Sequence, residues 1–266
     1  MNLHTFHIAI LGGKNMDISV EKIKYKNVNQ EIVTTNLYYV KFSSFEEVEN
    51  KINNEFVDIV RADHTYELQP TKHEVKKFLD KKTEKQKYGA VAEFFAHVVL
   101  REMGYTQQCL YRNLEENSMK KGFDGLYLHN NSYWIMESKS SITSQLHKDK
   151  INEAIDCIGD SIEGRTTNNP WSNAVYHILA LQNEKSDTTI IKKIKQLSKD
   201  YQENKMHNLT EFNLIPVSTL FIENKQSVEE IINDINNLFS KATYKDIIVV
   251  CLDNYVYNEF MHYLEN

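Results

Sequence analysis

The pattern of hydrophobic and polar residues predicts strands and a helix in the first third of the chain. Residues 3–11 and 31–42 are rich in β-branched and aromatic residues, which predicts two strands. Residues 44–56 place apolar side chains near helical spacing, which predicts a short helix. The lysine-rich stretch 71–87 predicts a helix or a connector, and a solvated helix face is its simplest explanation. Together these elements predict an N-terminal α+β segment over residues 1–80.

From residue 89 onward, predicted helices and strands alternate. A helix is predicted over 90–103, and two strands over 122–128 and 133–139 follow it. The pattern leaves 173–181 ambiguous. Further helices are predicted at 144–163, 189–199, 227–240 and 255–264, and further strands at 212–222 and 246–252. This alternation predicts an α/β fold over residues 81–266, with a mixed sheet flanked by helices.

Composition and charge exclude several classes of protein. The 266 residues carry a formal net charge of −6 and are 41% hydrophobic, as in an ordinary globular chain. The acidic balance excludes a polycationic protein that coats nucleic acid, although a locally basic site on an acidic body is still compatible with a nucleic-acid enzyme. No apolar run approaches membrane-spanning length, and the N-terminus lacks the pattern of a signal peptide.

The cysteines and the common cofactor motifs narrow the chemistry further. Cys109, Cys157 and Cys251 are far apart, which excludes a disulfide framework or a zinc ribbon and favours a reduced, cytoplasmic setting. The chain has no GxGxxG, P-loop or GxSxG motif. We therefore expect no small-molecule cofactor and no serine-hydrolase elbow.

The residues that suggest chemistry lie on the two strands predicted between 122 and 139. The chain contains several tripeptides in which an acidic residue stands two positions before a lysine, and most of them have polar surroundings. Glu137-Ser138-Lys139 differs because it ends an apolar run. A loop of two or four residues between the strands would place Asp124 directly opposite Glu137, with Lys139 on the same face. Two facing carboxylates repel, and a divalent metal bound by oxygen ligands would relieve that repulsion. A loop of odd length would put the two carboxylates on opposite faces.

The spacing of Asp124, Glu137 and Lys139 resembles the PD-(D/E)xK nuclease superfamily. That pattern includes an acidic residue on a preceding helix, and Glu93 occupies this position. Three segments support a more specific resemblance, to the HamA nuclease subunit of the bacterial Hachiman anti-phage system. They are Gly-x-x-Ala-Glu-Phe, Lys-Gly-Phe-Asp-Gly and Glu-Ser-Lys-Ser-Ser. This closer resemblance spans about residues 85–165.

The resemblance implies a metal-dependent DNA nuclease that acts in a defence complex and is gated by a helicase subunit (HamB-like). Asp124 and Glu137 would ligate Mg²⁺ or Mn²⁺, and the main-chain carbonyl of Ser138 would add a third oxygen. Lys139 would orient or deprotonate the attacking water. Glu93 would bind the metal directly or through water, or serve a second metal. The fold it implies is the PD-(D/E)xK-like mixed sheet, with the segment 1–80 available for binding a partner.

The same residues are also compatible with purely structural roles. Asp124, Glu137 and Lys139 could form a salt-bridged hairpin, and Glu93 a helix-surface pair with His97 or with Arg101. His97 itself is expected to be a surface residue or an orienting neighbour rather than a ligand. At the level of the whole protein, the alternatives are a non-catalytic subunit that clamps a helicase or DNA, and a stand-alone restriction or repair nuclease. The net charge favours a chain that receives DNA from a basic partner or meets it only through local patches such as 71–87, because phosphate neutralisation supplies most non-specific affinity.

Overall fold

A computed structural model of the protein describes most of its residues. The described ranges are 18–61, 65–111, 122–143, 146–166, 168–180 and 188–266. The strand predicted at residues 3–11 lies outside them. Cys109, Cys157 and Cys251 lie within them, and all three thiols are free, as their spacing predicted.

The strands of the described ranges belong to one mixed sheet. They are β1 (Ile18–Asn27), β2 (Ile32–Phe42), β3 (Thr106–Gln107), β4 (Gly125–His129), β5 (Ser132–Ser141), β6 (Asn213–Leu220), β7 (Thr243–Tyr244), β8 (Asp246–Ile247) and β9 (Val249–Asn254). Their order is β3-β4-β5-β6-β9-β2-β1-β7, and β8 pairs with β6. The neighbours from β5 to β2 are parallel, whereas β4–β5 and β1–β2 are antiparallel. Every residue of β6 and β9 is buried, as expected for parallel strands covered on both faces.

Helices cover both faces of this sheet, which confirms the predicted α/β fold. The described helices are α1 (Glu46–Arg61), α2 (Leu68–Asp80), α3 (Glu84–Glu102), α4 (His147–Ile162), α5 (Pro170–Ala180), α6 (Thr188–Gln202), α7 (Val228–Phe239) and α8 (Tyr257–Tyr263). A search of the described residues finds no helix with the length and apolar character needed to cross a bilayer. The segment 173–181, ambiguous from its pattern, belongs mainly to α5.

Side chains alternate between two hydrophobic cores, one on each face of the sheet. Tyr127, Trp134 and Met136 pack with α1, α2, α3 and α8, on what we call the α3 face. Leu126 and Ile135 pack with α4, α5, α6 and α7, on the α4 face. Because successive strand residues point to opposite faces, Glu137 and Lys139 lie on the α4 face and Ser138 on the α3 face.

The predicted N-terminal segment is joined to the rest of the molecule through the sheet. β2 pairs in parallel with β9, from Leu37 opposite Val249 to Phe42 opposite Asn254. The strand predicted at 31–42 is confirmed, and the helix predicted at 44–56 is confirmed as α1, which extends further.

The lysine-rich stretch 71–87 comprises most of α2 and the start of α3. The interpretation of this stretch as a wholly solvated face is wrong at Thr71 and Lys72, which are buried. Lys72 packs its ammonium over the Tyr263 ring, 3.8 Å from the centroid. The break between the two helices ends at Thr83, which caps α3 by accepting a hydrogen bond from the backbone N–H of Gln86.

Candidate active site

The hairpin formed by β4 and β5 has the register that the sequence predicted. Its ladder runs from Gly125 opposite Met136 to His129 opposite Ser132. The turn is the two residues Asn130 and Asn131, both with positive φ (48° and 57°), as a tight hairpin turn with the right-handed strand twist requires. Extending the ladder by one residue places Asp124 opposite Glu137. An Asp124 oxygen (Oδ2) accepts a hydrogen bond from the backbone N–H of Ser138 at 2.9 Å.

Gly125 shows why the residue after Asp124 must be small. A Cβ at this position would lie 2.9 Å from both Met136 Cε and Tyr127 Cε2. Those two side chains fill the α3 face beneath the start of β4, so a larger residue would push the strand away from β5. The glycine therefore allows Asp124 to reach the neighbouring strand.

Glu137 is buried beside Lys139 on the α4 face. Only 6% of Glu137 is exposed, and its Oε1 accepts a hydrogen bond from the Lys139 ammonium at 2.8 Å. Burial and then the nearby Asp124 carboxylate raise the pKa of Glu137 to about 7, although Lys139 opposes the shift. Burial acts to lower the pKa of Lys139, but the Glu137 carboxylate outweighs it and raises that pKa. The structure therefore brings together Asp124, Glu137 and Lys139, three of the residues predicted from the sequence.

Cys157 is a neighbour of this pair that sequence reasoning missed. It lies on α4, and its Sγ is 3.4 Å from the Lys139 ammonium nitrogen. Burial raises the pKa of the Cys157 thiol to about 11, so the sulfur stays protonated. The only signal in the sequence was its place on the helix that follows the Glu137-Ser138-Lys139 motif.

Glu93 lies on α3, with 12% of its side chain exposed, and its Oε1 is 3.6 Å from His97 Nε2. The expectation that His97 is a surface residue is wrong, because His97 is fully buried and its Nδ1 contacts the Tyr127 hydroxyl. Burial, helped by Arg101, lowers the pKa of His97 to about 3, so the ring is neutral. Glu93 is therefore next to His97, but the neutral, buried ring does not form the helix-surface ion pair that was one structural explanation of Glu93.

The direction of α3 fixes where Glu93 lies relative to the hairpin. His97 contacts Tyr127, and the backbone carbonyl of Gly104 lies 3.3 Å from His129 Nδ1, so α3 and β4 run in the same direction. Glu93 is one helical turn before His97, and the length of one turn equals that of about two residues of a strand. Glu93 is therefore level with the start of β4, but on the α3 face of the sheet, opposite the face of Glu137.

The donor groups suit a hard divalent cation. Within the described ranges, no group of three or more His, Cys, Asp and Glu side chains is arranged to hold a metal ion. The Asp124 carboxylate nevertheless lies close to that of Glu137, and the raised pKa of Glu137 reflects first its burial and then the repulsion from Asp124, which a cation would relieve. Oxygen ligands from two carboxylates and a main-chain carbonyl match the preference of Mg²⁺. The full predicted ligand set of Asp124, Glu137, Ser138 and Glu93 stays a prediction.

A second polar network, also missed from the sequence, fixes the start of α4. Ser218 on β6 is in register with Lys139 on β5, and its hydroxyl lies 2.8 Å from His147 Nδ1. His147 Nε2 is 3.0 Å from Asp253 Oδ1, and the Tyr39 hydroxyl donates to Asp253 Oδ2 at 2.6 Å. Ser218 and His147 are fully buried, and Asp253 is 1% exposed, so no substrate reaches this serine. The network joins α4 to β6, β9 and β2.

Comparison with known protein families identifies the chain. Its sequence matches the HamA family over residues 14–261, which is nearly its whole length. A comparison with curated proteins gives no match. The matched range includes the hairpin, α3 and α4, and therefore every residue of the candidate site. The chain belongs to the HamA family.

Proposed function

We propose that the chain is the nuclease subunit of a Hachiman anti-phage defence system and hydrolyses DNA phosphodiesters with Mg²⁺ or Mn²⁺. Membership of the HamA family supports the place in a defence system. The observation that carries the nuclease assignment is the proximity of Asp124, Glu137 and Lys139. Lys139 is hydrogen-bonded to Glu137, and Asp124 accepts a hydrogen bond from the residue between them. We assign the site to the PD-(D/E)xK superfamily on that arrangement.

In this proposal Asp124 and Glu137 hold the metal, with the main-chain carbonyl of Ser138 beside them. The metal, when bound, lowers the pKa of a water and stabilises charge on the scissile phosphate. The backbone N–H of Ser138 keeps one Asp124 oxygen directed at β5, so the two carboxylates are oriented before metal binds. Glu93 acts from the other face, through water.

Lys139 supplies the positive charge of the proposed site. Its ammonium is 2.8 Å from Glu137 Oε1 and packs against Cys157, so its position is fixed from two sides. A lysine in this place can donate hydrogen bonds to the attacking water and to a phosphate oxygen. It also offsets the negative charge that develops in the transition state.

A partner that delivers DNA is part of the proposal. The net charge of −6 disfavours strong binding of DNA by bulk electrostatics. We propose that a helicase subunit (HamB-like) presents the DNA and gates cleavage. A non-catalytic clamp would make the same contacts with the partner but would degrade no DNA under any condition.

The test is DNA degradation by the full chain, alone and with its helicase partner and ATP, in Mg²⁺, Mn²⁺ or EDTA. We expect Glu137→Gln and Lys139→Ala to lower the rate by at least about 100-fold, as expected when a charge-stabilising group is removed. A matched control is Glu153→Gln on α4, whose exposed carboxylate pairs with Lys150. The proposal is wrong if Glu137→Gln and Lys139→Ala proteins degrade DNA as fast as the wild type.

A further inference from the structure

Three aromatic side chains from distant parts of the sequence meet at one place. The Tyr88 and Tyr257 rings are stacked, with centroids 3.9 Å apart and an interplanar angle of 20°. Phe221 packs edge-on against both, 4.9 Å from Tyr88 and 5.8 Å from Tyr257. All three are half-buried, so each keeps part of its ring at the surface. We call these residues the aromatic cluster.

The aromatic cluster lies at the edge of the sheet that carries the proposed active site. Phe221 directly follows β6, and its backbone N–H donates to the carbonyl of Ser141 at 2.9 Å. Ser141 is the last residue of β5, two residues beyond Lys139, or about 7 Å along the strand. Tyr88 lies on α3, between one and two turns before Glu93. The cluster packs against the α3 face, whereas Glu137 and Lys139 lie on the α4 face. Both are near the carboxyl-terminal edge of the parallel strands, where ligands of open α/β sheets bind, so a ligand that crosses this edge can reach both.

Among the residues that the structure describes, none fills the space beside Gly89. Gly89 follows Tyr88 within α3, and a Cβ built on it meets no atom within 4 Å. A glycine inside a helix lowers its stability relative to alanine, and no packing among the described residues requires it here. Gly89 is also one turn before Glu93, on the same stripe of the helix. An open glycine in this position leaves room for a close approach by another chain.

Positive charge borders the same edge. Lys85 lies one turn before Gly89 on the same stripe of α3 and is exposed. Lys41, near the end of β2, is also exposed and lies 5.5 Å from the Tyr255 ring centroid. Neither ammonium makes an ion pair with another described residue. Aromatic faces next to such cations are the combination that binds single-stranded nucleic acid, in which bases stack and phosphates meet lysines.

We propose that the aromatic cluster stacks an unpaired base of single-stranded DNA, and that the strand's backbone passes Gly89 towards Asp124, Glu137 and Lys139. This inference rests on the proposed function and names the form of its substrate. A duplex hides the faces of its bases inside its own stack, so only an unpaired strand presents a base to these rings. Single-stranded DNA is also the product of a helicase, which makes it the substrate that the proposed partner would supply.

The experiment measures binding without cleavage. The probe is a fluorescein-labelled oligonucleotide of about 12 nucleotides, used as a single strand and as a duplex. The full chain, together with any subunit that co-purifies, is added to it in EDTA. Fluorescence anisotropy then gives the Kd for each form. We expect Tyr88→Leu and Tyr257→Leu each to weaken single-strand binding about tenfold, because an aromatic that stacks a base contributes on that scale. Tyr88→Phe keeps the ring face and should stay within about twofold of the wild type, since stacking uses the ring rather than the hydroxyl.

Two further variants separate binding from folding. Gly89→Ala adds one methyl group to the open space and favours the helix, so we expect an unchanged or higher Tm together with weaker single-strand binding. Tyr176→Leu removes an exposed tyrosine (66% exposed) on α5, away from this edge, and should leave binding unchanged.

The inference is overturned if folded Tyr88→Leu, Tyr257→Leu and Gly89→Ala proteins bind single strands as the wild type does, or if single-strand and duplex binding weaken equally. Cleavage in Mg²⁺ is scored separately. A wild type that binds single strands through these rings but never cleaves DNA contradicts the proposed function alone. A Tyr88→Leu protein that cleaves single strands with unchanged KM and kcat contradicts the aromatic cluster alone.

Discussion

The carboxylate of Asp124 is tied to the strand of Glu137 through the backbone N–H of Ser138, which donates to Asp124 Oδ2 at 2.9 Å. Asp124 itself precedes the first residue of β4, so this side-chain contact continues the hairpin where the backbone ladder stops. The contact also brings the charge of Asp124 close to the buried Glu137. One hydrogen bond therefore orders the hairpin end and creates the repulsion that a cation would relieve.

The first prediction concerns this hydrogen bond. We expect Asp124→Ala to lower the free energy of unfolding by about 1–2 kcal/mol, because the Ser138 N–H loses a charged acceptor. Asp124→Asn keeps an acceptor of the same shape and should lose much less stability while losing metal affinity. Urea unfolding measures the difference, with Asp160→Ala on the exposed side of α4 as control. Equal losses for Asp124→Ala and Asp124→Asn would contradict the role given to the hydrogen bond.

The second prediction concerns pH and Glu137. Its pKa is raised from 4.5 to about 7 in the folded protein, so between these values the folded state binds more protons than the unfolded state. Stability in the absence of divalent cations should therefore fall as pH rises from about 4.5 through 7. Glu137→Gln should remove this contribution to the dependence of stability on pH. The stability of the variant relative to the wild type should therefore be higher at pH 8 than at pH 5.

Thermal unfolding at several pH values in EDTA measures this component. Adding Mg²⁺ at pH 8 should raise the Tm of the wild type and leave that of Glu137→Gln nearly unchanged, because a ligand that binds only the folded state stabilises it. A Glu137→Gln protein with the same pH dependence as the wild type would show that Glu137 ionises normally.

The third prediction concerns the buried network beneath α4. The Asp253 carboxylate accepts hydrogen bonds from His147 Nε2 and the Tyr39 hydroxyl, and these contacts lower its pKa despite burial. We expect Asp253→Ala to cost at least about 3 kcal/mol, because it leaves buried polar partners without their acceptor. Tyr39→Phe removes one donor and should cost about 1 kcal/mol. Denaturant unfolding checks both values, and a cost for Asp253→Ala below that of Tyr39→Phe would contradict the central place of Asp253 in the network.

The fourth prediction concerns a histidine far from the hairpin. His207 lies 3.0 Å from Glu211 Oε2 and 3.2 Å from Asp200 Oδ2. Partial burial acts to lower the pKa of His207, but the two carboxylates outweigh it and raise that pKa above 6.5. The stability from this cluster is therefore fully present below pH 6.5 and is lost as pH rises through the folded pKa.

His207→Gln should consequently destabilise the protein more at pH 6 than at pH 8.5. The comparison needs only Tm values at the two pH values, with His73→Gln on the exposed face of α2 as control. A larger loss of Tm at pH 8.5 than at pH 6 would contradict the raised pKa of His207.

The candidate hairpin was predictable because two local rules agree on it. A two-residue turn of Asn130-Asn131 and the alternation of the strands are both readable from the sequence, and together they fix Asp124 opposite Glu137. The helix bearing Glu93 was predictable from its apolar period. These features depend on residues close in sequence.

The features that were missed depend on packing between distant elements. His97 is buried because Tyr127 on β4 covers it, and no local pattern reveals that contact. Cys157 and Ser218 have ordinary surroundings in the sequence and acquire their neighbours only when α4 and β6 meet β5. β1 was missed because its charged residues interrupt the alternation expected of a strand.

The parallel pairing of β2 with β9 has a consequence for synthesis on the ribosome. About 210 residues separate the partners, such as Leu37 and Val249, so β2 can pair with β1 early but has no partner on its other side until most of the chain has been made. The hairpin of Asp124 and Glu137 has its local partner much earlier, but β6 has no β9 beside it until residues 249–254 emerge. Since β9 also supplies Asp253, the network that holds the start of α4 is complete only then. The order of translation therefore delays the complete sheet and the support at the start of α4 until the last described strand has been made.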